Sequence, residues 1–372
     1  MLEKGLIETE LVPGPVDYAT LRPGTGPSAD LPIVLWLHGG GGTARFLESC
    51  QPYFTACWND SSLPELVAVT PSAGWSFHLD HPDGSALWET FLLEELVPHI
   101  RKKTGSTAGP LVVGGISSGA AAALRLAFRH PHQVRAVVAL EPTLESALVA
   151  DQVPLRDRVH MPDRIRSELF GDPVDPDHWL ANHPVALVRD RAAEVVANKV
   201  AIYLECGDDD LLHAQYGTEL LHRKLFDAGI PHEYRQVRGG NHVGASVGPR
   251  VSDALRFMGR VLKSDYEASQ SFESFVEIEN FASRVRDLET AVGYRHENVV
   301  ERPGCRLQVA VQGEGPTVVM LPSLGRGRAD FADLANRVAR VGYCVARPEP
   351  RGVNGSSQAL RDLSLDHFAD DV

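Results

Sequence analysis

An α/β fold, a mostly parallel sheet with helices on both faces, is predicted by three features of the 372-residue sequence. Short runs that are apolar throughout recur between residues 33 and 204. Stretches of helical period separate them. Glycine or proline follows several of the runs. Strands buried on both faces read as continuous apolar segments, and their alternation with helices makes a parallel sheet.

The strands are expected at Ile33-Val34-Leu35-Trp36-Leu37, Leu66-Val67-Ala68-Val69, Leu111-Val112-Val113, Val137-Val138-Ala139-Leu140 and Val200-Ala201-Ile202-Tyr203-Leu204, with a further one at 232–237. Residues 86–103 carry Leu87, Phe91, Leu92, Leu96 and Ile100 at helical spacing. Residues 118–129 form an Ala-rich helix, and 213–228 form another that Gly229 is suited to cap. The segment 141–197 lacks the alternation and is rich in Pro, Asp and Arg. It reads as a helical insertion over the sheet edge, of a size that usually shapes a pocket.

The strongest chemical signal is Gly115-Ile116-Ser117-Ser118-Gly119 between an apolar strand and a helix. A sharp strand-to-helix turn crowds the backbone, so small residues must flank a nucleophile placed there. Ser117 is the expected nucleophile; Ser118 competes but lacks the symmetric glycine spacing. The second signal is His38-Gly39-Gly40-Gly41-Gly42 directly after a strand, where bare backbone N–H groups can face an anion. A phosphate loop would continue with Lys-Ser/Thr, which is absent here. The two donors of an oxyanion hole are assigned to the backbone of Gly40 and Ser118.

An acid and a base should follow the serine in that order. Glu205-Cys206-Gly207-Asp208-Asp209-Asp210 and Gly239-Gly240-Asn241-His242 both lie after strands, where α/β sheets keep their sites. His242 is the expected base. Asp210 is the favoured acid, Asp209 the alternative, and Asp208 a turn cap. His78, Asp80, His81 and Asp83 are weighed as a metal site and read instead as an ordinary polar loop. Trp75, Phe77 and Trp88 either line a substrate pocket or pack. No metal or cofactor is expected.

These stretches resemble the esterase branch of the α/β-hydrolases, which includes S-formylglutathione hydrolase (esterase D), enterochelin esterases and feruloyl esterases. The likeness covers about residues 30–262. It rests on His38–Gly42, Trp88–Pro98, Gly115–Arg129 with His130-Pro131, Phe170–Pro173, Gly207–Asp210 and Gly239–His242. That family often has Met after the nucleophile, where this chain has Ser118. The resemblance implies hydrolysis of small carboxylic esters by Ser117, His242 and Asp210. A thioesterase, an acyltransferase or a peptidase could use the same set, and a catalytically silent scaffold would not need it.

Three segments are expected: a hydrolase domain over 1–264, a linker helix over 265–291, and a partial second domain over 292–372. Phe272, Phe275, Val276, Phe281, Val285 and Leu288 give the linker one apolar face. Apolar strands at 306–311 and 317–321, a helix near 329–341 and a strand at 343–346 follow. They resemble the opening of a hydrolase from the epoxide-hydrolase and haloperoxidase-like side. Gly342–Gly352 and Leu365–Val372 carry that likeness, and Leu321–Gly325 stands where His-Gly-x-Gly is usual. The sequence stops before a second nucleophile, as a truncated gene or half of a longer tandem enzyme would. A half sheet leaves an unpaired edge, so self-association through this segment is expected.

The formal net charge of −13 argues against nucleic acid or anionic membrane as a partner. The first residues lack the basic start and apolar core of a secretory signal, and no run of about 18 apolar residues suggests a membrane span. Five scattered cysteines form no zinc or disulfide pattern, so a cytoplasmic chain with reduced thiols is expected.

Overall fold

Six parallel strands form the centre of the first unit in the computed structural model, which describes residues 1–24, 26, 28–263, 296–302, 304–322, 327–353 and 356. The strands β3 (Ile33–Leu37), β4 (Val67–Pro71), β5 (Leu111–Ile116), β6 (Val134–Leu140), β7 (Ala201–Gly207) and β8 (Glu233–Val237) lie in the order β4-β3-β5-β6-β7-β8. An antiparallel hairpin not foreseen in the sequence, β1 (Leu2–Ile7) and β2 (Val16–Leu21), extends the sheet beyond β4.

Along β3 the side chains alternate between two cores, as the two-residue strand period requires. Ile33, Leu35 and Leu37 join one apolar cluster, Val34 and Trp36 the other. The second cluster is closed by α1 (Arg45–Asn59) and α8 (Val247–Lys263), through Leu47, Phe54, Leu255 and Phe257. The first is closed by α2, α3 (Ser118–Arg129), α6 (Pro184–Ala197) and α7 (Ala214–Asp227). Here α2 denotes the helix over 88–104, which widens over Phe91–Leu96 before tightening again at Val97–Thr104.

The insertion is helical. It contains α4 (Asp163–Phe170), α5 (Pro176–Asn182) and α6, which packs on α3. Asp175 caps α5 by accepting from the Asp177 and His178 N–H groups. A small core of its own joins Met161, Ile165, Leu169, Phe170 and Trp179 to Phe77 and Leu79, so the insertion is built onto the loop after β4.

A buried charge cluster ties α2 to α3. Glu89, 3% exposed, accepts from Arg125 Nε at 2.8 Å and Arg129 Nη1 at 2.7 Å, with His130 Nε2 at 3.1 Å. Arg125 also donates to the Phe77 and His78 carbonyls, fixing the loop beneath the insertion. Burial alone would raise the Glu89 carboxyl, but His130, Arg125 and Arg129 outweigh it and hold it at about 2. The unfolded carboxyl titrates near 4.5, so its stabilisation is complete above that pH and lost as pH falls toward 2. Glu89→Gln leaves the buried Arg125 without its counter-charge and should destabilise the unit by about 3–5 kcal/mol at pH 7. Urea unfolding between pH 7 and 3 checks this, and the variant should also show a shallower loss of stability through that acid range.

The second unit, Ser269–Val372, has a four-stranded sheet in the order β11-β12-β10-β9. The strands are β9 (His296–Arg302), β10 (Cys305–Gln312), β11 (Thr317–Val319) and β12 (Cys344–Pro348), with α9 (Ala332–Arg340) between the last two. Its antiparallel hairpin, antiparallel β10/β12 pair and parallel β11/β12 pair repeat the pairing of β1 to β4 in the first unit. It therefore repeats the opening topology of the first unit. The expected strand at 317–321 is shorter, ending at Val319, and Met320 instead joins Ala335 and Val345 in a small core. The linker helix over 265–291, Ser323–Gly325 and Leu365–Val372 lie outside the described residues.

Candidate active site

Ser117 occupies the turn between β5 and α3 with φ 59° and ψ −127°. That left-handed φ is costly for a residue with a side chain and recurs at functional turns. The turn survives because its flanks have no Cβ. A Cβ on Gly115 would lie 2.3 Å from the Leu37 carbonyl oxygen. One on Gly119 would lie 2.3 Å and 2.4 Å from the Leu37 and His38 oxygens. The glycines let the turn press against the end of β3, where the glycine loop begins.

His242 follows β8 and Asp210 follows β7. His242 Nε2 lies 2.9 Å from Ser117 Oγ, and His242 Nδ1 lies 2.7 Å from Asp210 Oδ2. Asp210 is buried, and its Oδ1 accepts the Leu212 N–H at 2.7 Å. Asp209 is exposed, and among the described residues it gives only its backbone N–H, to the Gly240 carbonyl. Asp208 Oδ1 accepts the Gly239 N–H at 2.6 Å, a link between the two loops. Asn241 Oδ1 adds another by accepting the Leu211 N–H, and within its own loop it also accepts the His242 N–H.

Two N–H groups of the glycine loop, those of Gly39 and Gly40, go to no acceptor among the described residues. The Gly41 and Gly42 N–H groups go to the Gly74 and Gly39 carbonyls, whereas neither Gly40 nor Ser118 gives its N–H to another acceptor among the described residues. His38 sets the loop. Its Nε2 accepts the Ala73 N–H at 3.0 Å, so Nδ1 carries the proton and donates to the Gly39 carbonyl at 2.6 Å. In a trans peptide the N–H points opposite to the C=O, so fixing the Gly39 oxygen aims the Gly40 N–H the other way. Burial lowers the His38 pKa, which favours this neutral form.

A family profile described as "Putative esterase" matches residues 15–253. The chain belongs to that esterase family. An uncharacterized secreted protein of Arthroderma benhamiae is 24% identical to it over 248 residues, 62% of this chain. The chain spans about a quarter of that relative, 24% of its length. Among solved structures, a ferulic acid esterase is similar at 21% identity and a TM-score of 0.57, over 70% of this chain and 98% of its own. An S-formylglutathione hydrolase from Agrobacterium tumefaciens is similar at 16% identity and a TM-score of 0.58, over 70% and 95%. These likenesses show the α/β-hydrolase fold that the family shares.

Of the two tryptophans expected at a pocket, Trp75 stands beside the glycine loop of this esterase-family chain. The residue is 48% exposed, and a Cβ on Gly40 would meet its indole at 2.5 Å. Trp88 is different: it packs edge-on against Phe91, 5.9 Å between ring centres, and joins the core. It anchors the start of α2.

The loop weighed as a metal site disperses its side chains. Asp80 caps α2, accepting from the Glu89 and Thr90 N–H groups and the Thr90 hydroxyl. Asp83 Oδ1 accepts from the Ser85 N–H, and His81 lies beside the Ser85 hydroxyl. His78 is buried against His38, with neither ring nitrogen partnered among the described residues. Burial, then the charges of His38 and Arg125, lowers its pKa well below the ordinary value. Glu141, Cys206 and Asp210 approach one another as cation ligands would, but their oxygens already hold Arg250, Gly207, Leu212 and His242.

Sequence reading missed Glu89, Arg125, Glu141 and Arg250. Their signal was slight: charged residues inside otherwise apolar helix faces or directly after an apolar strand.

Proposed function

We propose that the first unit hydrolyses small carboxylic esters through an acyl-enzyme on Ser117. The supporting observation is the unbroken path from Ser117 Oγ through the His242 ring to Asp210, at 2.9 and 2.7 Å. His242 Nε2 accepts the hydroxyl proton as Oγ bonds to the acyl carbon, then returns it to the departing alcohol. Asp210 keeps the proton of the neutral ring on Nδ1 and offsets the charge of the imidazolium. The negative tetrahedral oxygen is received by the Gly40 and Ser118 N–H groups, the latter in the first turn of α3, where the helix dipole favours an anion. Water then enters by the same route and releases the acid. Trp75, exposed beside the glycine loop, is placed to cover the bound ester.

A fluorophosphonate probe should label the intact chain at Ser117 alone, identified by peptide mass, and the labelled protein should lose all p-nitrophenyl ester turnover. Labelling elsewhere, or turnover that survives complete labelling, would sink the proposal. A series of p-nitrophenyl esters run against matching acyl thioesters then reads the leaving-group preference.

A further inference from the structure

We propose that the buried Glu141–Arg250 pair is a positioning device that holds the loops of His242 and Asp210 in register with each other. This rests on the reading of Ser117, His242 and Asp210 as the reacting set. Glu141 directly follows β6, the strand between the nucleophile strand and the acid strand, with a left-handed φ of 49°. A non-glycine residue is rare there, and at this position it turns a carboxylate into the space between the two loops. The backbone is held by its own N–H, which donates to the Glu205 carbonyl at 2.8 Å.

The Glu141 carboxylate divides its two oxygens between the loops. Oε1 takes Arg250 Nη1. Oε2 takes the Gly207 N–H at 3.3 Å and the Cys206 thiol at 3.1 Å, three and four residues before Asp210. Arg250, in the first turns of α8, spends its other donors on the base loop. Nη2 donates to the Asn241 carbonyl at 2.8 Å and Nε to the Ser246 carbonyl at 3.2 Å. One guanidinium thus grips the His242 loop on both sides of the histidine. Its partner carboxylate grips the root of the Asp210 loop. Arg250 Nε also lies 3.6 Å from Glu205 Oε1, on β7 itself.

Both side chains are buried, Glu141 at 1% and Arg250 at 5% exposure. A buried ion pair adds little to stability that apolar side chains could not supply, so its selective value lies in what else it fixes. Here that is the planar fork of arginine, whose donors keep fixed angles to one another and so set carbonyls on both sides of His242 at once. Neither residue touches the reacting atoms. They act through the placement of the imidazole, to which proton transfer is sensitive at well under an ångström.

The test uses the full chain and the variants Arg250→Lys, Arg250→Met and Glu141→Gln. Lysine keeps the charge but has no fork to reach three acceptors. The expected result is a fall in kcat and in the rate of fluorophosphonate labelling of roughly 10- to 100-fold in each variant. KM should stay within about two-fold of wild type, and Ser117 should still label to completion. Assays run well below each variant's thermal midpoint keep loss of stability out of the comparison. If Arg250→Met does not fold, Arg250→Lys and Glu141→Gln decide. Wild-type kcat and labelling rate in the folded variants overturn the proposal while leaving the hydrolase reading intact. Failure of wild type itself to label or turn over overturns the hydrolase reading, and this inference with it.

Discussion

Ser117→Ala is expected to lower kcat by roughly 10⁴-fold or more, because serine, histidine and aspartate work as one unit and what survives comes from the oxyanion donors and binding. The neighbouring Ser118→Ala should leave turnover within a few-fold. The two hydroxyls differ by one position, but only Ser117 Oγ meets His242 Nε2, at 2.9 Å. Ser118 is already the first residue of α3 and is buried; its proposed contribution is a backbone N–H that alanine retains. Measuring p-nitrophenyl acetate turnover beside the thermal midpoint separates loss of the nucleophile from loss of the fold. A large fall in Ser118→Ala with Ser117→Ala near wild type would reverse the assignment.

The parts of the fold that could be read from the residues are those whose environment leaves a local trace. The strands β3 to β7 sit between two helical layers, so both faces are apolar and the runs stand out. The hairpin β1/β2 leaves no such trace. Leu2–Ile7 is an edge strand in which Ile7 alone is buried, and Lys4 is paired with Glu48 of α1 at the surface. Val16–Leu21 mixes Asp17 and Thr20 with apolar residues and shows no continuous run.

The same division holds at the site. Ser117, the glycine loop and His242 announce themselves because their chemistry demands small neighbours, and the steric reason is visible at Gly115 and Gly119. Trp75 and Trp88 are both aromatic residues near a polar loop; only tertiary packing sends one to Gly40 and the other to Phe91. Glu89 reaches Arg125 across 36 residues and Glu141 reaches Arg250 across 109. A buried charge is legible only with its partner, and nothing local indicates who that partner is.

Asp210→Asn is expected to cost roughly 10⁴-fold in kcat through the tautomer of the base, whereas Asp209→Asn should stay within about two-fold of wild type. Three aspartates in sequence are chemically alike, and the turn sorts them. Asp209 is exposed, while Asp210 is 2% exposed with both oxygens committed. Oδ1 takes the Leu212 N–H and Oδ2 faces His242 Nδ1. An asparagine that keeps the Leu212 bond must present its NH₂ group to Nδ1. That nitrogen can then only accept, so the ring proton moves to Nε2, and Nε2 can no longer take the proton of Ser117. Turning the amide over restores an acceptor to Nδ1 but sets NH₂ against the Leu212 N–H. The first arrangement keeps the shape of the site and removes its base; the second keeps the base only by setting two donors against each other, an unfavourable contact at a buried position. The check is kcat and the fluorophosphonate labelling rate for both variants, with thermal midpoints to show that each is folded. Asp210→Asn should label far more slowly than wild type, and Asp209→Asn at the wild-type rate. Equal losses in the two would mean that neither aspartate alone sets the tautomer, and a loss confined to Asp209→Asn would move the acid to the exposed neighbour.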